Sequence, residues 1–72
     1  MFKDKKVLVA GGAGLIGRQL VNLLISSGAN VFVSDMKEPD IEFKSKVSYS
    51  KLDLTNYSNC VSVCEGMDYV FN

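Results

Sequence analysis

The apolar residues of the first half of the chain fall into short runs separated by glycine. Residues 7–10 form a continuous apolar run, which is typical of a parallel strand covered on both faces. From Leu15 the spacing becomes helical, and the apolar positions span an arc of roughly 200°: Ile16, Leu20, Val21, Leu23, Leu24 and Ile25. Gly28 ends this helix, and residues 31–33 begin a second strand. Because the arc is wider than contact with one sheet requires, we expect the helix to contact another element as well.

The second half of the chain has weaker patterns. Residues 36–46 contain Pro39 and no apolar period, so we predict a connection across the sheet edge rather than a full helix. Residues 47–52 alternate weakly and predict a third strand. Thr55 can cap a second helix, which places four side chains on one face: Tyr57, Cys60, Val61 and Cys64. Residues 69–71 then start a fourth strand.

The order of these elements, β-α-β-loop-β-α-β, defines the fold class. Right-handed crossovers fold such a chain into a parallel sheet with helices packed on it. We therefore predict an α/β protein with a doubly wound parallel sheet of the Rossmann type. Residues 1–72 would form its N-terminal part, as one incomplete domain.

Composition excludes several function classes. The chain has 8 basic and 8 acidic residues, so no net charge attracts nucleic acid or an anionic membrane. No apolar stretch approaches the roughly 20 residues of a membrane span. Cys60 and Cys64 share one helix face and are expected to pack in the core, and the absence of histidine excludes a Cys/His zinc site. We expect a cytoplasmic protein that binds neither nucleic acid nor membrane.

Four glycines follow the first strand and precede the first helix. Gly12, Gly14 and Gly17 fit the pattern G-x-G-x-x-G, while Gly11 with the last two fits G-x-x-G-x-x-G. A residue without Cβ lets the backbone approach a phosphate closely, and the free amides of the following helix point at the anion. We assign Gly17 to close packing of helix against strand, and Gly11 and Gly14 to the tight turn and the phosphate approach. A purely structural turn is the alternative.

A phosphate-binding loop for ATP or GTP is a rival interpretation of the same glycines. Gly12 and Gly17 have the required four-residue gap. Such a loop then needs Lys followed by Ser or Thr, whereas Arg18 and Gln19 follow here. The missing side chains are those that contact phosphate and Mg²⁺, so we reject this interpretation.

Asp35 closes the second strand, 18 residues after Gly17. Dinucleotide-binding folds have an acidic residue about 20 residues after the glycine motif. The Asp35 carboxylate can accept hydrogen bonds from both hydroxyls of the adenosine ribose and would repel a 2′-phosphate, which favours NAD over NADP. Arg18 and Lys37 are close enough in sequence to soften this discrimination. A turn aspartate without a ligand is the alternative.

Asp53 follows the third strand, at the sheet edge where an adenine ring would lie. It can equally cap the helix that follows, because aspartate favours that position. Both interpretations stay open.

Catalytic residues are scarce. The chain has no histidine, and none of its tyrosines is followed four residues later by the lysine that would lower a phenol's pKa: Tyr49, Tyr57 and Tyr69. We therefore expect no turnover from these 72 residues alone.

Residues 10–17, Asp35, the pair 53–54 and residues 66–72 together resemble the N-terminus of extended short-chain dehydrogenases/reductases, also called the NAD-dependent epimerase/dehydratase family. Most members act on nucleotide sugars. The resemblance implies NAD as cofactor and assigns the pyrophosphate to five residues, the ribose to one and the adenine to two: Gly11, Gly14, Leu15, Ile16 and Gly17; Asp35; Asp53 and Leu54.

The sequence departs from the family pattern in two ways. Ala10 stands where the family usually has Thr, which removes a hydroxyl and leaves the phosphate cradle intact. The Tyr-x-x-x-Lys pair, the catalytic Ser or Thr and the sugar-binding domain are missing, so the chain is expected to be the NAD-binding N-terminal part of a nucleotide-sugar epimerase, dehydratase or reductase. Two alternatives stay open: a non-catalytic dinucleotide-binding module that acts as a redox sensor or assembly partner, and a fragment that binds nothing strongly and self-associates.

Overall fold

The computed structural model describes residues 2–52 and 57–72, and for residues 57–60 the backbone alone. Strands and helices alternate along these residues: β1 (Lys6–Ala10), α1 (Leu15–Ser26), β2 (Asn30–Asp35), α2 (Ile41–Lys44), β3 (Ser48–Lys51), α3 (Tyr57–Cys64) and β4 (Tyr69–Phe71). None of the described helices is long and apolar enough to cross a membrane.

The strands form one parallel sheet in the order β3-β2-β1-β4. β1 lies at the centre between β2 and β4, and β3 pairs with the outer side of β2. The chain thus proceeds from β1 to β2 and β3 in one direction and returns to the other side of β1 for β4. This reversal of strand order is the point at which ligands bind in such folds. The predicted α/β class with a Rossmann-type parallel sheet is confirmed.

The connection between β2 and β3 differs in one respect from the prediction. It contains no full helix, but residues 41–44 form a single helical turn, α2. Asp40 caps this turn, because its carboxylate accepts a hydrogen bond of 2.9 Å from the backbone N–H of Phe43. Phe43 is buried. The cap and this one buried side chain stabilise the helical turn, which is too short to produce a helical period of apolar residues in the sequence.

The main core lies between the sheet and the helices α1 and α2. Its members come from alternate positions of the central strands and from both helices: Val7, Val9, Val21, Leu24, Val31, Val33 and Phe43. The broad apolar arc of α1 is only partly used. Ile16 is 82% exposed and Leu23 is 66% exposed, so no described element covers that side of the helix, although Phe43 of α2 joins the core.

The opposite face of the sheet is loosely covered by α3. Leu8 and Ser34 are buried there, and Val63 of α3 is half-buried and lines the interface. Cavities of about 290 and 180 Å³ separate the helix from the strands. The expected core position of Cys64 is wrong, because α3 is not seated tightly and leaves this free thiol exposed. The expectations for Thr55 and for the Cys60 side chain lie outside the described residues.

Candidate cofactor-binding site

The chain leaves the centre of the sheet through the glycine turn. Ala10, the last residue of β1, is in register with Ser34 of β2. The next N–H, that of Gly11, donates a hydrogen bond of 2.7 Å to the Ser34 carbonyl. Gly11 has φ of +79°, in the left-handed region that favours glycine, and it turns the chain sharply toward α1.

The N-terminus of α1 carries free backbone donors. Gly14 is the N-cap and provides no side-chain cap, and the Arg18 N–H donates to the Gly14 carbonyl at 2.9 Å. The amides of Leu15, Ile16 and Gly17 therefore have no acceptor within the helix, nor one elsewhere among the described residues. Together with the helix dipole they form a positive end that can bind an anion. The side chains of Leu15 and Ile16 are exposed, so this end is open to solvent.

Glycine is present at positions 12, 14 and 17 for different physical reasons. A Cβ on Gly17 would lie 2.6 Å from the Gly11 carbonyl oxygen, so glycine is required where α1 packs on the turn. A Cβ on Gly12 would lie 2.9 Å from a methyl group of Val33 in the core. A Cβ on Gly14 would contact only the Gly11 oxygen, at an ordinary 3.7 Å. The packing of the described residues therefore does not require glycine at position 14, and its missing side chain leaves space at the helix end that they do not fill.

Asp35 ends β2 on the face that α1 covers, two residues after the buried Val33. One carboxylate oxygen accepts a hydrogen bond of 3.2 Å from the Ala13 N–H in the glycine turn. The other accepts one of 3.0 Å from the Lys37 N–H. The fold thus fixes the carboxylate beside the turn, and each oxygen retains capacity for another donor.

Tyr49 of β3 braces the same corner, a role that the sequence pattern did not predict. Its hydroxyl lies 3.0 Å from the carbonyl oxygen of Asp35 and 3.1 Å from that of Lys37, and it is the donor to these acceptors. Partial burial raises the pKa of Tyr49, and the negative charges of Glu38 and Asp35 raise it further. The phenol therefore stays protonated and holds the backbone that carries Asp35. A tyrosine in a weakly alternating strand gives no signal of this contact.

Arg18, which the sequence placed near enough to Asp35 to soften the discrimination against NADP, contacts α2 and its N-cap. Its guanidinium Nη2 lies 2.9 Å from a carboxylate oxygen of Asp40, and its Cζ lies 4.8 Å from the centre of the Phe43 ring. The Phe43 amide first, and then the Arg18 guanidinium, lower the pKa of Asp40. The sequence did contain a signal for the capping role of Asp40, because an aspartate directly after Pro39 and before apolar residues is typical of a helix N-cap.

Asp53 and Leu54, the residues expected at the adenine, lie outside the described residues. The chain just before them is placed, because the Leu52 N–H donates a hydrogen bond of 3.1 Å to the Asp35 carbonyl. Their contact with a base stays a prediction.

The described site combines two chemistries at one edge of the sheet. Unpaired amides at an open helix end can hold a diphosphate, and a fixed carboxylate next to them can accept hydrogen bonds from a sugar diol. A strand, a glycine turn, a helix and an acid at the end of the next strand define the Rossmann-type dinucleotide-binding class.

Comparison with known proteins identifies the family. The sequence profile of the NAD dependent epimerase/dehydratase family matches residues 7–72. Because this match spans most of the chain, the protein belongs to that family, and the resemblance seen in the sequence is confirmed.

Individual relatives agree with this assignment. The short-chain dehydrogenase/reductase ascJ of Acremonium egyptiacum is 38% identical over 59 residues, which are 81% of this chain and 20% of that protein. The crystal structure of a short chain dehydrogenase from Leptospira borgpetersenii with bound NAD+ has a TM-score of 0.74 at 33% identity, covering 86% of this chain and 25% of that one. The structure of Pen from Bacillus thuringiensis has a TM-score of 0.89 at 30% identity, covering 100% and 25%. The chain thus spans about a fifth to a quarter of the length of these relatives.

Proposed function

We propose that the chain binds NAD(H) at the junction of β1, α1 and β2. The free amides of Leu15, Ile16 and Gly17 would hold the pyrophosphate, and Asp35 would accept hydrogen bonds from the adenosine ribose. The single observation that carries this proposal is the geometry at Gly14. Its missing Cβ leaves space that packing among residues 2–52 and 57–72 does not require, directly in front of an uncapped helix end. The NAD+-bound relative and the family description support the choice of cofactor.

Calorimetric titration with NAD+ tests this proposal. We expect one saturable site in the parent chain and no measurable binding to Gly14→Val, because an isopropyl group would fill the open space. Asn22→Val is the matched control, since it places the same side chain at an exposed position of the same helix. Binding by the control and by the parent, but not by Gly14→Val, supports the site. Equal binding by all of them would refute it.

For the whole protein we propose hydride transfer between a nicotinamide and a carbon of a nucleotide sugar. This proposal depends on the family resemblance. Bound NAD would supply the hydride acceptor, while this chain's residues bind and orient it. The 72 residues contain no Tyr-x-x-x-Lys pair. We therefore expect no conversion of any sugar, followed by chromatography, when the chain is incubated with NAD+ and a panel of nucleotide sugars, and a measurable rate of conversion would contradict this expectation.

We further propose a cytoplasmic location without nucleic-acid or membrane partners. The free thiol of Cys64 supports it, because reducing compartments keep thiols unpaired. Fractionation of the source cells, with the chain detected by antibody, tests it: we expect recovery with soluble cytosolic proteins, and recovery with membranes would contradict it.

A further inference from the structure

Two basic residues, Arg18 and Lys37, are near Asp35 in the sequence, and Arg18 is the arginine of the chain. Asp35 repels the 2′-phosphate that distinguishes NADP from NAD, whereas an arginine near the ribose is what accommodates that phosphate in other sites. Arg18 lies one helical turn beyond the N-cap Gly14, and the Asp35 carboxylate contacts Ala13, the residue just before that cap. Whether the site accepts NADP therefore depends on where the guanidinium of Arg18 is held.

Two contacts hold Arg18 against the connection that follows β2. The guanidinium donates to Asp40 at 2.9 Å and stacks 4.8 Å from the centre of the Phe43 ring. Phe43 is only 5% exposed and is fixed in the core. The Arg18 and Asp40 side chains are 39% and 58% exposed, so a ligand could compete for the guanidinium if Asp40 released it.

Asp40 is itself fixed by the backbone. One carboxylate oxygen caps α2 by accepting the Phe43 N–H at 2.9 Å, and the other accepts from Arg18. The capping bond determines where the second oxygen points. The Phe43 amide and the Arg18 guanidinium lower the pKa of Asp40, which keeps the carboxylate charged.

We infer that Asp40 is a specificity-determining residue that engages Arg18 and so withholds the guanidinium from a 2′-phosphate at Asp35. The inference rests on the proposed NAD site and deepens it. Asp40 does not contact the cofactor. By holding Arg18, Asp40 keeps away the arginine that would attract the 2′-phosphate of NADP. The preference for NAD therefore depends on both Asp35 and Asp40.

Titration of single variants with NAD+ and NADP+ tests this inference. Asp40→Asn keeps an N-cap residue of equal quality and removes the charge that holds Arg18. We expect it to bind NADP+ about five- to tenfold more tightly than the parent chain, as a new charge-assisted contact to phosphate would give, and NAD+ within about twofold. Arg18→Gln in the parent background should change NADP+ affinity by less than about twofold, because Arg18 is already engaged.

Two further variants separate this effect from a general change of charge. Glu38→Gln removes one negative charge from the same connection, where Glu38 pairs with Lys44 at 2.9 Å and does not touch Arg18. We expect no gain in NADP+ affinity from it. The double variant Asp40→Asn with Arg18→Gln should lose the gain of the single Asp40 variant. Circular dichroism of each variant verifies that it is folded.

The outcomes are distinguishable. If the parent chain binds NAD+ and Asp40→Asn leaves NADP+ affinity unchanged, the inference is overturned and the proposed function stands. The inference also fails if Glu38→Gln gives the same gain, if the gain survives the loss of Arg18, or if Arg18→Gln alone weakens NADP+ binding more than about twofold. Absence of NAD+ binding to the parent chain overturns the proposed function and the inference with it.

Discussion

One added methyl group should lower the stability of the chain at Gly17 and the affinity for NAD+ at Gly14. In Gly17→Ala the new Cβ would lie 2.6 Å from the Gly11 carbonyl oxygen and 2.7 Å from the Gly12 Cα. Both obstructing atoms are backbone atoms of the turn that cannot rotate away, so α1 must move away from the turn. Overpacking of this kind costs about 1–3 kcal/mol, and the better helix propensity of alanine returns about 1 kcal/mol at most.

We expect Gly17→Ala to lower the free energy of unfolding by about 2 kcal/mol. This value takes the upper end of the overpacking cost, because the obstruction is rigid, and subtracts the gain in helix propensity. A chain of 72 residues has a total stability of only about 4–10 kcal/mol at ordinary values per residue. The substitution would therefore remove a large fraction of the stability. Urea unfolding followed by circular dichroism measures this change.

Gly14→Ala is the matched comparison. Gly14 has φ of −77° and ψ of 174°, which alanine adopts freely, and the added Cβ has an ordinary contact of 3.7 Å. A loss of about 1 kcal/mol at the N-cap and a gain of about 0.4–1 kcal/mol from the less flexible unfolded chain nearly cancel. Stability should change by less than about 0.5 kcal/mol, while NAD+ affinity falls at least about tenfold.

The two variants together refute or support the assignment of the glycines. A Gly17→Ala chain as stable as the parent would show that the close approach of helix and turn does not exist. A Gly14→Ala chain that binds NAD+ with unchanged affinity would show that the open space at the helix end is not part of the cofactor site.

Further predictions concern individual side chains around the site and the sheet. Asp35→Asn should weaken NAD+ binding about tenfold in calorimetry, because a neutral amide replaces the charged acceptor; undiminished affinity would remove the residue from the site. Ser34→Ala should raise the free energy of unfolding by about 1 kcal/mol in urea titrations, since the buried Ser34 hydroxyl has no hydrogen-bond partner among the described residues; a less stable variant would contradict the structure. The raised pKa of Tyr49 means that its contribution to stability is complete below pH 10.0 and is lost as the pH rises above it, a dependence that Tyr49→Phe should lack in pH-resolved melting curves. The open edge of β4, where Val70 is 48% exposed, should cause self-association in size-exclusion chromatography that Val70→Lys reduces, and a compact monomer at all concentrations would argue against it.

The central β-α-β unit could be predicted from the sequence because its signals are local and strong. Each signal has one local physical cause. The signals are the glycines after β1, the 3.6-residue period of α1 and the acidic residue that ends β2. α1 begins at Leu15 as expected, and the Asp35 carboxylate lies beside the glycine turn. The roles of these residues toward a cofactor stay predictions.

The remaining features depend on contacts between distant residues. The contact of Tyr49 with the Asp35 carbonyl joins residues 14 positions apart, and the ion pair of Arg18 with Asp40 joins residues 22 positions apart. No periodicity encodes such pairs. The exposure of Cys64 was mispredicted for a related reason, because helical spacing gives the shared face of a helix but not how closely that face sits on the sheet.

The most direct test of the account is a proton–nitrogen correlation spectrum of the labelled chain during titration with NAD+. If the helix end holds the pyrophosphate, the backbone amide signals of Leu15 and Ile16 should shift most, in saturable proportion to the NAD+ concentration, and Gly14→Val should abolish the shifts. If NAD+ binds while these amide signals stay in place, or if no signal moves at saturating NAD+, the central claim is contradicted.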